Sequence, residues 1–247
     1  MLSQEQNDRL TRVGPGTPMG ELMRRYWHPI AGSVQLDEEN PTKEVRLLGE
    51  DLVLFRSTKG VLGLIEPSCA HRKANLSYGV PEPDGLRCAY HGWHFDVNGR
   101  CLDIPSEPAE NKFRDRVRLK AYPTLERGGV IWVYMGAADA EPPAPALTWA
   151  NLPGEKLFVS KRLQECNYFQ VMEGGLDSSH LSFLHRGTLS DDPVMGTGGL
   201  GRDSRPRAIR RKGGIRGIAN DRKTRKRPPF SERSAVGGGE LLGVRVA

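Results

Sequence analysis

The feature that most constrains this chain is a pair of short clusters, Cys69-Ala70-His71 and Cys88-Ala89-Tyr90-His91, with sixteen residues between them. Each cluster contributes one cysteine and one histidine. A thiolate needs a nearby cation to persist at neutral pH, and a neutral imidazole offers one nitrogen lone pair, so the four side chains form a ligand set for a soft or borderline metal. The fold must therefore bring two turns to one point. Structural zinc sites commonly join a Cys-x2-Cys pair to a His-x3-His pair, whereas here the two ligand types are mixed within each cluster. Each turn can give a sulfur to one iron and a nitrogen to its neighbour, as in two-iron centres with two thiolates on one metal and two imidazoles on the other. On ligand chemistry alone zinc remains the alternative.

Around the clusters the pattern is rich in strands. Val45–Phe55 and Val61–Ile65 flank Ser57-Thr58-Lys59-Gly60 and read as a hairpin with glycine at a turn position. His94–Val97 and Arg100–Leu102 flank Asn98-Gly99, a strong hairpin signal because both residues accept positive φ. Gly128-Gly129 opens the apolar strand Val130–Tyr134, and the Pro-rich run Glu141–Pro145 reads as a linker. These signals predict an N-terminal helical segment over residues 1–25 and an antiparallel β unit over 26–136 that carries both clusters on turns. Of the four cysteines, two lie in the clusters, so no disulfide framework is expected; Cys101 and Cys166 are expected to be small buried hydrophobes.

The net charge of +6 is unevenly placed. Residues 202–247 hold fourteen Lys or Arg against four acids, which leaves a mildly acidic body. This tail has one aromatic residue, Phe230, and little apolar periodicity, so residues 201–247 are expected to be a basic segment of low order. Nucleic-acid binding is not expected of it, because the aromatic interleaving that base stacking requires is missing. The N-terminus lacks the basic start and apolar run of a signal peptide, and no segment has the length of a membrane span. A cytoplasmic protein with no membrane partner is expected.

A second constellation lies at Asp177, His180 and His185. Two histidines and a carboxylate suggest a facial-triad iron, which leaves positions open for oxygen and substrate. On an ideal helix the two histidines would lie about 140° apart, so they can share a metal where the helix kinks, bulges or ends.

Cys69-Ala70-His71-Arg72 and Cys88-Ala89-Tyr90-His91-Gly92-Trp93-His94-Phe95, followed by Asn98-Gly99, resemble the Rieske iron-sulfur domain of ring-hydroxylating oxygenases. Asp177-x2-His180-x4-His185 resembles the mononuclear iron motif of the same family. The strings Glu173–His180 and Val13–Gly20 look most like the phthalate dioxygenase branch, including O-demethylating relatives; the Asn that many members carry near position 174 is replaced here. The resemblance implies a Rieske 2Fe-2S cluster on Cys69, His71, Cys88 and His91, a mononuclear Fe(II) on His180 and His185, and Asp177 as the electron bridge. It further implies electrons from NAD(P)H through a separate reductase, O2 and an aromatic small molecule as substrates, and a homo-oligomer, usually a trimer.

The expected fold class is thus α+β: an antiparallel β Rieske domain (26–136), the helical start of an α+β catalytic domain (137–200) and the basic tail. In the family a third iron ligand, an Asp, comes from a downstream sheet that this chain does not match after about Leu200. Asp191, Asp192, Asp203, Asp221, Glu232 and Glu240 sit in no matching motif, and none is assigned. A truncated or frame-shifted catalytic domain is the expectation, with apolar surface left uncovered. The expected function is the oxygenase component of such a system, hydroxylating or O-demethylating an aromatic compound. The alternative is a non-catalytic Rieske electron carrier with a defective mononuclear site.

Overall fold

Ser3 and Thr17 start two short helices, α1 (Gln4–Thr11) and α2 (Pro18–Met23), by accepting the backbone N–H of Gln6 and Gly20. These caps satisfy donors that the first helical turn leaves without partners. The structure, a computed structural model, describes residues 2–108, 110–177, 180, 183 and 184, and the segments 208–210, 216–218, 233–237 and 240–246. Among the described residues no helix is long and apolar enough to cross a membrane. Contacts divide the chain into two units, Met1–Glu165 with Glu232–Ala247, and Cys166–Ser231.

Three antiparallel sheets make up the β unit. Strands β1 (Trp27–Gly32), β10 (Val130–Tyr134) and β9 (Thr124–Arg127) form the first, in that order. The second joins β2 (Thr42–Leu47), β3 (Glu50–Arg56) and β4 (Leu62–Ile65), and the third runs β5 (Val80–Glu82), β6 (Gly85–Arg87), β7 (His94–Asp96) and β8 (Cys101–Asp103). The Asn98-Gly99 and Gly128-Gly129 turns fall where the sequence puts them, with φ of 77° at Gly99 and 64° and 72° at the glycine pair. The run Val45–Phe55 differs from its reading as one strand. Leu48 and Gly49, with φ of 48° and 81°, fold it back on itself so that Leu47 pairs with Glu50. The apolar Leu48 hid this turn, because its side chain is buried in the core even though its backbone is left-handed.

Strand β3 organises the core. Successive side chains of a strand point to opposite faces, and here both faces are covered. Leu52 and Leu54 pack with Ile30, Leu64, Ile131 and Val133, while Val53 and Phe55 pack with Ile65, Leu86, Phe95 and the two cluster cysteines. The cysteines are therefore part of a hydrophobic core. Cys101 joins it as expected; Cys166 does not, and is exposed on the link between β11 (Leu157–Leu163) and α3 (Tyr168–Leu176). Its neighbours Gln164, Glu165 and Asn167 supply no apolar face to bury it.

Within the basic tail, expected to be of low order, four strand segments are described. β15 (Glu240–Val246) pairs antiparallel with β11 and with β14 (Arg233–Gly237), and β12 (Ala208–Arg210) pairs with β13 (Arg216–Ile218). The run Glu240-Leu241-Leu242-Gly243-Val244-Arg245-Val246 has the apolar content of a strand, but sits in a composition dominated by Arg and Gly.

A buried ion pair ties the N-terminal helices to the β unit. Arg24 of the α2 C-cap donates to Glu50 at 2.8 Å and to the carbonyl of Leu48 at 3.0 Å; Glu50 also accepts from Lys120 and from the Tyr122 hydroxyl. Burial pushes the Glu50 carboxyl up, but hydrogen bonds from Lys120, Arg24 and Tyr122 outweigh it and hold the group below its ordinary value. Glu50→Ala leaves Arg24 buried without its charge partner and should cost about 3–5 kcal/mol in urea unfolding. Because the folded-state pKa is depressed, this stabilisation is complete above the ordinary glutamate range and is lost as pH falls through the folded value. The stability gap between wild type and variant should therefore narrow in acid.

Candidate metal centre

The two clusters occupy the tips of two hairpin-like loops built on one hydrogen-bonding plan. In the first, Ser68 bridges Asn75, the Cys69 N–H donates to the Ala74 carbonyl at 2.9 Å, and the Cys69 carbonyl accepts from Lys73 at 2.9 Å. In the second, Arg87 pairs with His94, the Cys88 N–H donates to the Trp93 carbonyl at 2.8 Å, and the Cys88 carbonyl accepts from Gly92 at 3.0 Å. The fifth residue of each loop has a left-handed backbone, φ 58° at Lys73 and 74° at Gly92. Each loop thus places its cysteine one step past the last ladder pair, directed into the core.

Cys69 and Cys88 are 1% and 3% exposed and lie within hydrogen-bonding reach of each other. Burial pushes the Cys69 thiol up to about 11, with backbone N–H groups of His71 and Arg72 opposing it and the Cys88 thiol adding to it. The two imidazoles meet edge to face, with ring centroids 4.5 Å apart. Nδ1 of His71 is enclosed and has no hydrogen-bond partner. Desolvation, then the neighbouring His91 and Arg72, hold His71 below the usual histidine range, so it presents a neutral nitrogen donor. Two buried thiols side by side and two imidazoles in contact, one with an orphaned buried nitrogen, are a donor set that fits a two-metal cluster. All four residues that the sequence singled out are brought together.

The surroundings add residues that sequence reasoning missed. Trp93 stacks on the His71 ring at 4.9 Å with 3° between planes and so fixes its orientation. Arg87 donates to the Gly92 carbonyl at 2.6 Å and to Asp103 at 2.8 Å, and forms a two-pronged pair with Glu82, which ties the second loop to β5 and β8. No spacing rule would have found it; its only signal is its place immediately before Cys88. Arg72 is exposed. Glu82, Asp84 and the buried His94 also approach one another, but each carboxylate faces a different ring nitrogen, at 3.5 Å from Nδ1 and 3.7 Å from Nε2. The two lone-pair directions of an imidazole diverge, so this grouping suits a histidine lodged between two carboxylates rather than a shared ion.

In the second unit, α3 is capped by Asn167 and ends at Leu176, with the Asp177 N–H donating to Glu173 at 2.9 Å. The helix therefore stops before His180. A new turn begins at His180, whose carbonyl accepts from Phe183 and Leu184. Asp177 Oδ2 lies 3.0 Å from His180 Nδ1. His185 lies outside the described residues.

Comparisons agree with this geometry. Residues 26–123 match the Rieske [2Fe-2S] domain, and residues 133–206 match a domain described as LigXa C-terminal domain like. The 5,5'-dehydrodivanillate O-demethylase oxygenase subunit of Sphingobium sp. is 47% identical over 75% of this chain and 44% of its own length. The phthalate 4,5-dioxygenase oxygenase subunit of Pseudomonas putida is 42% identical over 75% of this chain and 42% of its own. Among solved structures, a Pseudomonas putida NdmA mutant with caffeine superposes with a TM-score of 0.59 at 29% identity, covering 71% of this chain and 53% of the other. The protein is thus an iron-sulfur protein of the Rieske class. Most of its length resembles the oxygenase subunits of Rieske systems, a phthalate dioxygenase subunit among them. It spans less than half the length of these two curated relatives.

The shared loop plan makes the fifth position testable. In Gly92→Ala the new Cβ would sit in a left-handed backbone 3.0 Å from Pro105, and stability of the cluster-loaded protein in urea should fall by about 1–2 kcal/mol. Lys73→Gly should shift it by less than about 1 kcal/mol, because relief of strain opposes the added chain entropy.

Proposed function

We propose that the protein acts as the oxygenase component of a Rieske non-haem iron system. Cys69 and Cys88 would hold one iron of a [2Fe-2S] cluster and His71 and His91 the other; His180 and His185 would hold a mononuclear Fe(II). The observation that carries the reading is the convergence of two buried thiols and two touching imidazoles on matched loops, supported by likeness to named oxygenase subunits. When bound, the cluster supplies single-electron transfer and the mononuclear iron supplies O2 activation for hydroxylation or O-demethylation of an aromatic compound.

The chain's own residues prepare both sites. Trp93 and Arg87 hold the second loop and the His71 ring in place, as supporting groups do around metal ligands. Asp177 accepts the Nδ1 proton of His180, which sets the tautomer so that Nε2 carries the lone pair. The same carboxylate would bridge the two redox sites across subunits of a homo-oligomer, a trimer by family likeness. A separate reductase would deliver electrons from NAD(P)H, which suits a cytoplasmic setting. A Rieske electron carrier with no working mononuclear site is the second reading, since no carboxylate in this sequence sits in a third-ligand motif.

Iron and sulfide analysis of anaerobically reconstituted protein, followed by oxygen uptake with a reductase and aromatic acids, tests the proposal. About three irons per chain and substrate-dependent uptake are expected, from a two-iron cluster and one mononuclear site. A reducible cluster with no uptake would establish the carrier instead, and zinc without sulfide would sink both. The double change His71→Cys with His91→Cys should move the potential from the range of about −150 to +300 mV toward about −400 mV. Asp177→Asn should leave the cluster's visible spectrum and potential as they are while oxygen uptake drops at least tenfold.

A further inference from the structure

Strand β2 lies at the edge of its sheet, and successive side chains along a strand face opposite sides. Val45 and Leu47 turn inward and are buried, which sends Thr42 and Glu44 outward. Both reach the end of the first ligand loop. The Thr42 hydroxyl donates to the Ser77 carbonyl at 2.6 Å, and Glu44 Oε1 accepts from Asn75 Nδ2 and, at 3.0 Å, from the Ser77 hydroxyl. The other arm of the same amide, Asn75 Oδ1, accepts the Ser77 N–H at 2.9 Å and opens the 3-10 turn Leu76–Tyr78.

This junction stands one step outside the metal-ligand residues. Asn75 bridges Ser68, the residue before Cys69, just as His94 pairs with Arg87, the residue before Cys88. Leu76 donates to the Pro67 carbonyl at 2.8 Å, and its side chain belongs to the same buried cluster as Cys69 and Cys88. The loop so closed contains Lys73, which holds a left-handed backbone although it has a Cβ. Arg87 ties the second loop to β5 and β8; the first is tied instead to β2, by an acceptor on the strand and a donor on the loop.

We propose that Glu44 and Asn75 are positioning residues for Cys69 and His71, a surface anchor that holds the first ligand loop closed around its metal. The inference rests on the reading of Cys69, His71, Cys88 and His91 as a Rieske centre. A carboxylate that accepts from an amide makes a charge-assisted hydrogen bond, roughly twice as strong as a neutral one. Glu44 and Asn75 are both exposed, so the anchor contributes bonding rather than packing. It fixes the Ser68–Asn75 pair from which Cys69 projects, and loss of a group that holds metal ligands in this way typically costs about 10- to 100-fold in metal affinity.

The test follows iron release from the cluster-loaded full chain to a ferrous chelator under anaerobic conditions, together with the visible circular dichroism of the cluster. Asn75→Asp keeps the oxygen that caps Ser77 but sets a second carboxylate oxygen against Glu44. Release should quicken about tenfold, and the dichroism should change. Glu44→Gln keeps an acceptor oxygen and should match wild type. The double change Glu44→Gln with Asn75→Asp reverses the bond, with the new amide donating to the new carboxylate at the net charge of wild type, and should restore both readouts. A general loss of stability is not repaired by exchanging donor and acceptor, so a double variant as labile as Asn75→Asp would overturn the proposal. Wild-type behaviour of Asn75→Asp would overturn it as well. If Asn75→Asp takes up no cluster, recovery of loading in the double variant supports the anchor and its absence counts against it. Glu126→Ala removes the acceptor of Arg56 elsewhere on the same unit and should change neither readout; equal quickening there would show the effect to be unspecific and sink the proposal. A wild type that holds zinc without sulfide overturns the Rieske reading itself, whereas a loaded wild type with no rescue in the double variant overturns the anchor alone.

Discussion

Two thiols buried side by side in a hydrophobic core set the terms for the rest of this structure. Burial keeps Cys69 protonated at neutral pH, which makes it inert as a nucleophile and poor as a hydrogen-bonding group. A cation changes that balance, because a coordinating thiol loses its proton outright. The cysteines share their core with Val53, Phe55, Leu86 and Phe95, so any movement of a ligand loop disturbs packing as well as coordination. Ligand binding and folding of the β unit are coupled for this reason.

The loops meet that demand with one backbone plan and two different sequences. Glycine at position 92 takes the left-handed conformation at no steric cost, whereas Lys73 takes it with a Cβ. Reinforcement is also unequal. Arg87 clamps the Gly92 carbonyl and Trp93 follows it in the second loop, while the first has no such arginine among its described contacts. Trp93 belongs to the second loop but stacks on the histidine of the first, so a single side chain couples the two tips.

How much of this was legible follows from the range over which each interaction acts. The Cys-His clusters on their turns, the Asn98-Gly99 turn and the paired strands are local and could be read directly. The turn at Leu48-Gly49 was hidden because a buried leucine occupies a turn position. Arg87 was invisible because Glu82, Asp103 and Gly92 meet it only once β5 to β8 are assembled. Cys166 was misplaced because a burial tendency for cysteine says nothing about whether neighbours can cover it. The strands of the basic tail escaped because β11, the partner of β15, lies about eighty residues upstream of it. At the second site, helix geometry asked for a kink, a bulge or an end near the two histidines; α3 stops at Leu176, and His185 lies outside the described residues.

The two histidines of the Rieske motif are not equivalent, and this gives the centre a direction. His71 is half-buried beneath Trp93 with one nitrogen enclosed; His91 is exposed and carries the ring of Tyr90 at 3.8 Å. The side of the centre covered by Trp93 continues to the half-exposed ring of Phe113. A change at Trp93 would therefore act first on His71, whose ring it stacks against, and leave the exposed His91 without that support in either case.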